Sequence, residues 1–220
     1  MKTHFLLFII GLYASASLAS ARSQKDPVGD LHMNISGLCQ SPTTDIVSTH
    51  FEKIDNQYVV TLQLVSPVSK MMGYKEYYFW LDVTHNTKKG YRPYMPDSAA
   101  WKNFYADYRI FYSVDANDRP PFVQPYEKVT VQKCLETDCS KDQGMLMNKN
   151  IQVETIGSSV IFRWPVGIFS DLDLAKKIKV GYTTYFALMQ CNGEDDSPQW
   201  GEHPHEIELS APSLNAPEAD

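Results

Sequence analysis

The sequence predicts an all-β protein, an antiparallel β-sandwich of about nine or ten strands with one or two short helical turns. Apolar and polar residues alternate with a period of two along most of the chain, as in strands that bury one face. Glycine and proline residues recur between the alternating segments and mark turns. Helical periodicity is scarce, so the crossovers that parallel sheets need are missing. A barrel is the second choice.

The first 21 residues have the layout of a secretory signal peptide. Lys2 gives a positive start, residues 5–13 form an apolar core, and small residues offer cleavage after Ala19 or Ala21. We therefore expect a secreted or periplasmic protein. No later stretch approaches the roughly 20 apolar residues of a membrane-spanning helix, so no membrane span is expected.

Composition predicts one domain, over residues 22–210. The chain is 43% hydrophobic and 12% aromatic, which suits a single packed core. A formal net charge of −6 without basic patches argues against nucleic acid and anionic lipid as partners. Residues 211–220 have little to bury and predict a disordered tail. The sequence indicates no oligomeric state.

Nine segments have the alternation of strands. The first two flank Asp55 and Asn56, a dipeptide suited to the positive φ angles of a tight hairpin. The predicted strands are 45–54, 57–65, 76–83, 108–114, 126–133, 151–154, 159–164, 178–189 and 206–209.

Two stretches favour short helical turns. Residues 97–101 begin with Asp97 as a cap, and residues 170–176 begin with Ser170 as the expected N-cap residue, followed by acids. Neither stretch is long enough to form a layer of the fold.

Four cysteines in a protein expected to be exported predict disulfides. Three pairings are possible. The four residues between Cys134 and Cys139 are too many for the two-residue spacing of zinc knuckles or thioredoxin-like motifs, and they suit the closed end of a β-hairpin. We therefore favour Cys134 with Cys139, which leaves Cys39 with Cys191.

Several short phrases occur in an order that points to a family. Residues 26–30 read DPVGD, residues 45–46 read DI, residues 78–86 read YFWLDVTHN and residues 106–110 read ADYRI. They resemble exported bacterial β-sandwich domains with the pattern DPxGD…DI…LDxDxNxxTG…ADYxI, which are similar to family 9 carbohydrate-binding modules and DOMON domains. The resemblance runs from about Asp26 to Leu209. It implies a noncatalytic sandwich that binds sugar or haem.

The chain departs from that pattern where the family phrase has oxygen ligands for a cation such as Ca²⁺. Thr84 replaces the second acid, which leaves Asp82, Thr84 and Asn86, although Gly90 matches the closing glycine. We therefore predict that Asp82 and Asn86 bond backbone amides at a strand-to-loop junction and form no calcium site.

Motifs for catalysis are absent from the sequence. It has no Gly-x-Ser-x-Gly elbow, no His-Glu-x-x-His motif and no phosphate loop, so no enzyme is predicted. Acids at 171, 173 and 194–196 are interpreted as solvated turns. The stretch 201–206 is a minor candidate for binding Zn²⁺ or Cu²⁺. A methionine together with His85 or His50 is a minor candidate for binding haem. We predict no cofactor.

Aromatic residues between 74 and 112 give the leading binding hypothesis. Tyr91, Tyr94, Trp101 and Tyr105 lie in or beside a long Pro/Gly loop, where rings are available to stack on sugars or to anchor a protein. The alternative is that these rings fold back onto the sandwich. The sequence thus predicts an exported binding domain for carbohydrate or a cell-surface glycan.

Strand rings such as Phe79, Phe111 and Phe162 are expected in the core. Two other functions stay open. One is a protein-interaction domain in secretion or host contact, and the other is a haem- or metal-binding carrier like DOMON domains.

Overall fold

The structure is a computed structural model that describes part of the chain. The described residues are 22–26, 32–33, 43–70, 73–86, 89–91, 104–115, 126–134, 139, 145–146, 150–188, 191–197 and 204–209. Side chains are described for these residues except at 22–23, 32–33, 145–146, 188 and 191–197. The predicted signal peptide, the predicted tail and the predicted turn at 97–101 lie outside them.

The described residues form thirteen strands in two antiparallel sheets, which confirms the predicted all-β sandwich. Sheet A has five strands. In spatial order they are β1 (Arg22–Lys25), β3 (Ile46–Ile54), β4 (Gln57–Leu64), β10 (Ser159–Pro165) and β9 (Gln152–Ile156).

Sheet B has eight strands. In spatial order they are β2 (His32–Met33), β12 (Cys191–Ser197), β11 (Lys177–Leu188), β5 (Tyr74–Asp82), β6 (Tyr108–Asp115), β7 (Tyr126–Lys133) and β8 (Met145–Leu146). The remaining strand, β13 (His205–Glu208), pairs with the first residues of β11. One edge of the long strand β11 pairs with β5. Its other edge pairs first with β13 and then with β12.

The predicted hairpin between β3 and β4 is confirmed. Asp55 has a φ of 51°, and Ile54 pairs directly with Gln57. Asp tolerates this left-handed conformation better than most non-glycine residues, and Asp55 is the residue of this turn that adopts it, whereas Asn56 does not have the positive φ that was expected of both.

The core lies between the sheets and is built around stacked rings. The Phe79 ring of β5 is parallel to the Trp164 ring of β10 at 5.4 Å and meets the Phe162 ring edge-on at 5.0 Å. All three side chains are buried. Burial of each contributes roughly 1.5–3 kcal/mol, so this contact between sheets is a main source of stability. Core positions for Phe79 and Phe162 are as predicted.

The predicted helical turn near residue 170 is α1 (Ser170–Leu174). Its N-cap residue is Phe169, and no side chain caps it, so the expectation that Ser170 is the N-cap is wrong. The buried Phe169 ring lies 4.7 Å from the Tyr108 ring and 6.1 Å from the Trp164 ring. Core packing of Phe169 therefore fixes where the helix begins.

The predicted Cys134–Cys139 disulfide is present, with Cα atoms 5.8 Å apart. Cys134 directly follows β7, whose Lys133 pairs with Met145 of the next strand, β8, so the disulfide lies in the connection of a β-hairpin, as predicted. Cys39 lies outside the described residues and the side chain of Cys191 is not described. The pairing of those two cysteines stays a prediction.

Candidate functional site

The outer face of sheet B carries aromatic side chains that the core does not use. On β5, Tyr77, Phe79 and Leu81 belong to the core, so the intervening side chains lie on the opposite face. Directly paired residues of neighbouring strands share that face. The members that matter here are Tyr74, Glu76, Tyr78, Trp80, Arg109, Phe111, Asp115, Tyr126, Lys128, Gln132, Thr183 and Tyr185.

The outer face of sheet A has a different composition. His50 and Glu52 of β3 lie 3.3 Å apart, and the Ser159 hydroxyl donates to the Gln63 carboxamide oxygen at 2.6 Å. Such short polar contacts are usual for a solvated sheet surface. The Phe, Tyr and Trp side chains described in sheet A all belong to the core: Phe51, Tyr58, Phe162 and Trp164. The outward rings therefore lie on sheet B.

One half of that face, here named the covered half, lies under a loop. One buried cluster forms there from Tyr78, Trp80, Tyr91, Phe104, Ala106 and Cys139, and Phe111 and Tyr185 pack against its edge. Tyr91 and Ala106 exchange backbone hydrogen bonds of 2.7 and 2.9 Å, so the two parts of the loop form a short bridge above the sheet.

Gly90 allows that bridge to form. Its φ is +145°, and a Cβ atom at this position would lie 2.6 Å from the backbone carbon of Tyr105. No other residue fits without moving the backbone.

Arg109 lies at the centre of the covered half and is 8% exposed. Its guanidinium carbon is 5.2 Å from the Tyr91 ring, 5.5 Å from the Phe111 ring and 5.8 Å from the Trp80 ring. Its Nε donates to Oε1 of Gln132 at 2.6 Å. Cation–π contacts of this kind contribute about 0.5–2 kcal/mol, so Arg109 joins the loop to the sheet.

The other half, here named the open half, has partly accessible rings. Tyr74, Phe111 and Tyr185 are half-buried, and Tyr126 is 64% exposed. The Phe111 and Tyr78 centroids are 4.8 Å apart, and the Tyr74 and Tyr185 centroids are 6.4 Å apart with planes at 67°. Cross-strand contacts therefore hold the rings of Tyr74, Phe111 and Tyr185 in place.

Glu76 connects Tyr74 of the open half with the buried Tyr78 at the edge of the covered half. Its two carboxylate oxygens accept hydrogen bonds from the hydroxyls of Tyr74 and Tyr78. Burial and the Glu76 carboxylate raise the pKa of both tyrosines, so both hydroxyls remain protonated donors. The open half therefore combines ring surfaces with a fixed carboxylate.

The sequence-predicted ring site is placed only in part. Tyr91 is 1% exposed and packs beside Arg109 and Trp80, so this ring follows the alternative that the sequence left open, in which the ring folds back onto the sandwich. Tyr105 is half-buried next to the bridge, and Tyr94 and Trp101 lie outside the described residues.

Sequence reasoning missed most rings of the open half. Phe111 was expected in the core, but it lies on the outer face because the alternation on β6 turns Ile110 and Tyr112 inward. The pairings of Tyr74 with Asp115 and of Asp115 with Tyr126 put the remaining rings on the same face. The alternation was visible in the sequence, but the strand pairing was not.

The junction after β5 confirms the structural role predicted for Asp82. Its Oδ1 accepts the backbone N–H of His85 at 2.7 Å, and His85 has a φ of 53°. Asp107, which sequence reasoning did not single out, accepts the N–H groups of Val83 and Thr84 at 2.7 and 2.8 Å. Burial and the nearby Asp107 raise the pKa of Asp82 to about 6.

Other candidate groups have structural partners. The Asp171 carboxylate accepts the Tyr108 hydroxyl at 2.6 Å and Lys133 Nζ at 2.9 Å. Burial raises the pKa of Asp171, but these hydrogen bonds outweigh burial and lower it overall. Asp173 accepts the Gly167 N–H at 2.8 Å, and His205 lies beside the Tyr182 ring at 6.2 Å.

Among the described residues, no group of three or more His, Cys, Asp or Glu side chains is placed to hold a metal ion. No helix in the same part of the chain is long and apolar enough to cross a membrane.

The fold and this face define the chain as an all-β sandwich with a partly covered aromatic surface on one sheet. No family model matches the chain, and comparison with curated proteins and with solved structures gives no match. The resemblance to family 9 carbohydrate-binding modules and DOMON domains stays a prediction.

Proposed function

We propose that this protein binds carbohydrate, without catalysis, through the open half of the outer face of sheet B. The observation that supports the proposal most is the placement of partly exposed rings beside a hydrogen-bonding carboxylate. Rings stack on the apolar faces of sugars, while polar groups beside them bond the hydroxyls. The open half offers Tyr74, Tyr126 and Phe111 for the first role and Glu76 for the second.

Rigidity favours binding by this face. The rings lie on paired strands, and neighbouring rings fix the orientations of Phe111 and Tyr74. A preformed surface loses less conformational entropy on binding than a mobile loop does. The expected export of the protein supports a glycan outside the cell as the ligand. Tyr94, Trp101 and Tyr105 remain predicted contributors from the adjoining loop.

A glycan array with the mature chain tests this function. Tyr126→Ala removes an exposed ring of the open half, and Ile156→Ala removes a 60% exposed apolar side chain from sheet A as a matched control. We expect Tyr126→Ala to weaken the strongest array signal roughly tenfold, since a stacked ring contributes about 1–3 kcal/mol to an interface. The control should bind as the wild type does.

Both substituted side chains are exposed, so both variants should keep the wild-type melting temperature. The proposal fails if no glycan binds. It also fails if Tyr126→Ala and Phe111→Ala both bind as tightly as the wild type.

A further inference from the structure

We propose that the glycan bound by the open half carries a free amino group, and that Glu76 pairs with the resulting ammonium. This inference rests on the proposed function, because it names the substrate class of the same site. It is argued from the position of Glu76, from the neighbouring charges and from the two rings beside it.

Glu76 has unused acceptor capacity. A carboxylate offers about four lone-pair positions on two oxygens. Tyr74 donates to Oε1 and Tyr78 donates to Oε2, so each oxygen keeps room for another donor. Glu76 is half-buried and its carboxylate is fixed by two hydroxyls, which makes it a preformed acceptor for a ligand.

A second acid lies at the same place. Asp115 pairs with Tyr74 in the β5–β6 register. The pKa of the Tyr74 hydroxyl is raised first by burial, then by Glu76, and also by the charge of Asp115. The charge of Asp115 therefore acts on the Tyr74 hydroxyl. Tyr74 is therefore flanked by two carboxylates.

The described cations nearest to Glu76 do not bond to it. Lys128 is exposed on β7, two strands from Glu76, which is about 10 Å at the usual strand spacing. Arg109 is bonded to Gln132. Burial and Glu76 raise the pKa of the Tyr78 hydroxyl and the charge of Arg109 opposes them, so Arg109 acts on the Tyr78 side of Glu76. Lys75 lies over the Phe186 ring and is 2% exposed. The acidic part of this surface is therefore the part around Tyr74, and that part complements a cation.

Two rings favour a cation at this position. Tyr185 pairs directly with Glu76 across the β5–β11 register, and its ring meets that of Tyr74 at 67°. Aromatic faces attract ammonium groups, and this attraction adds to that of the carboxylate. Neutral sugars use the rings equally well, but their hydroxyls gain less from the carboxylate charge than an ammonium group does.

The test compares binding of two probes by calorimetry: a hexamer of glucosamine, which carries free amines, and the neutral hexamer of N-acetylglucosamine. We expect the mature protein to bind the amine hexamer about tenfold more tightly, a difference of about 1.4 kcal/mol, since a hydrogen bond between two charged groups is stronger than one to a neutral group. Raising the salt concentration should shrink this difference, because screening weakens charge pairs on a surface.

Glu76→Gln keeps the shape and an acceptor for one tyrosine, and it should weaken binding of the amine hexamer about tenfold more than binding of the neutral hexamer, so that the preference is lost. Glu154→Gln, an exposed acid on β9 of sheet A, is the matched control and should keep the preference.

The inference is overturned, with the proposed function intact, if the two hexamers bind equally, if the neutral one binds more tightly, or if Glu76→Gln keeps the preference. If neither hexamer binds and an array finds no other amino-sugar ligand, the inference fails. If that array finds no glycan at all, the proposed function fails with it.

Discussion

At the residue scale, Asp82 and Asp107 close the loop that leaves β5. The Asp82 carboxylate accepts the backbone N–H of His85, and the Asp107 carboxylate accepts the backbone N–H groups of Val83 and Thr84. A structural role for Asp82 was predictable, because Asx side chains commonly bond nearby backbone amides. Asp107 was not, because it lies 23 residues from Thr84 in sequence and depends on the β5–β6 pairing.

The raised pKa of Asp82 makes the stability of the protein pH-dependent. The folded value of about 6 exceeds the ordinary 3.8, so the favourable contribution is fully present below about pH 4 and is lost as pH rises through 6. Lowering the pH from 7 to 5 should therefore raise the free energy of unfolding by about 1 kcal/mol, after allowance for solvent screening. Denaturant unfolding at both pH values measures this.

Asp82→Asn should abolish that difference, since the amide oxygen still accepts from His85 but does not titrate. Asp171 and Glu127 have lowered pKa values, so their contributions are lost only at more acidic pH. A wild type that is less stable at pH 5 than at pH 7, or a variant that keeps the wild-type slope, would contradict this account.

At the element scale, the strands with clear alternation were predictable within one or two residues, as β7 at Tyr126–Lys133 shows. The strands β2 and β8 have two residues each, which is too short to show an alternation of apolar and polar residues. The strand β12 reads CNGEDDS, a composition that strands disfavour, and it forms because β11 offers its free edge. Pairing partners of this kind are not visible in local sequence.

The bridge over the covered half makes a prediction about Gly90. Gly90→Ala should cost about 2–3 kcal/mol, because its positive φ is strained for alanine and the new Cβ meets the Tyr105 backbone. Gly157→Ala is the matched control: its φ is +59°, but nothing lies within 4 Å of the added atom, so only about 1 kcal/mol is expected. Denaturant titrations of both variants measure the difference, and equal losses would show that the bridge does not press on Gly90.

At the scale of the whole molecule, the two sheets bury one aromatic core and leave a second set of rings outside. The alternation predicted that every second side chain of a strand faces inward, and this pattern predicted the sandwich fold. It did not predict that Phe111 and Tyr126 share an outer surface, because that depends on the order of strands in sheet B. Nor did it show which side chain Tyr91 contacts, since the ring of Tyr91 reaches Arg109 only through the loop that folds over the sheet.

The central claim is that the outer face of sheet B binds glycan. Backbone amide NMR spectra of the isotope-labelled mature protein, recorded while a bound array glycan is added, test it most directly. We predict saturable shifts along β5, β6 and β7 around Tyr74, Phe111 and Tyr126, with the amides of β3, β4 and β9 in sheet A unchanged. Shifts confined to sheet A, or none at saturating glycan, would contradict the claim.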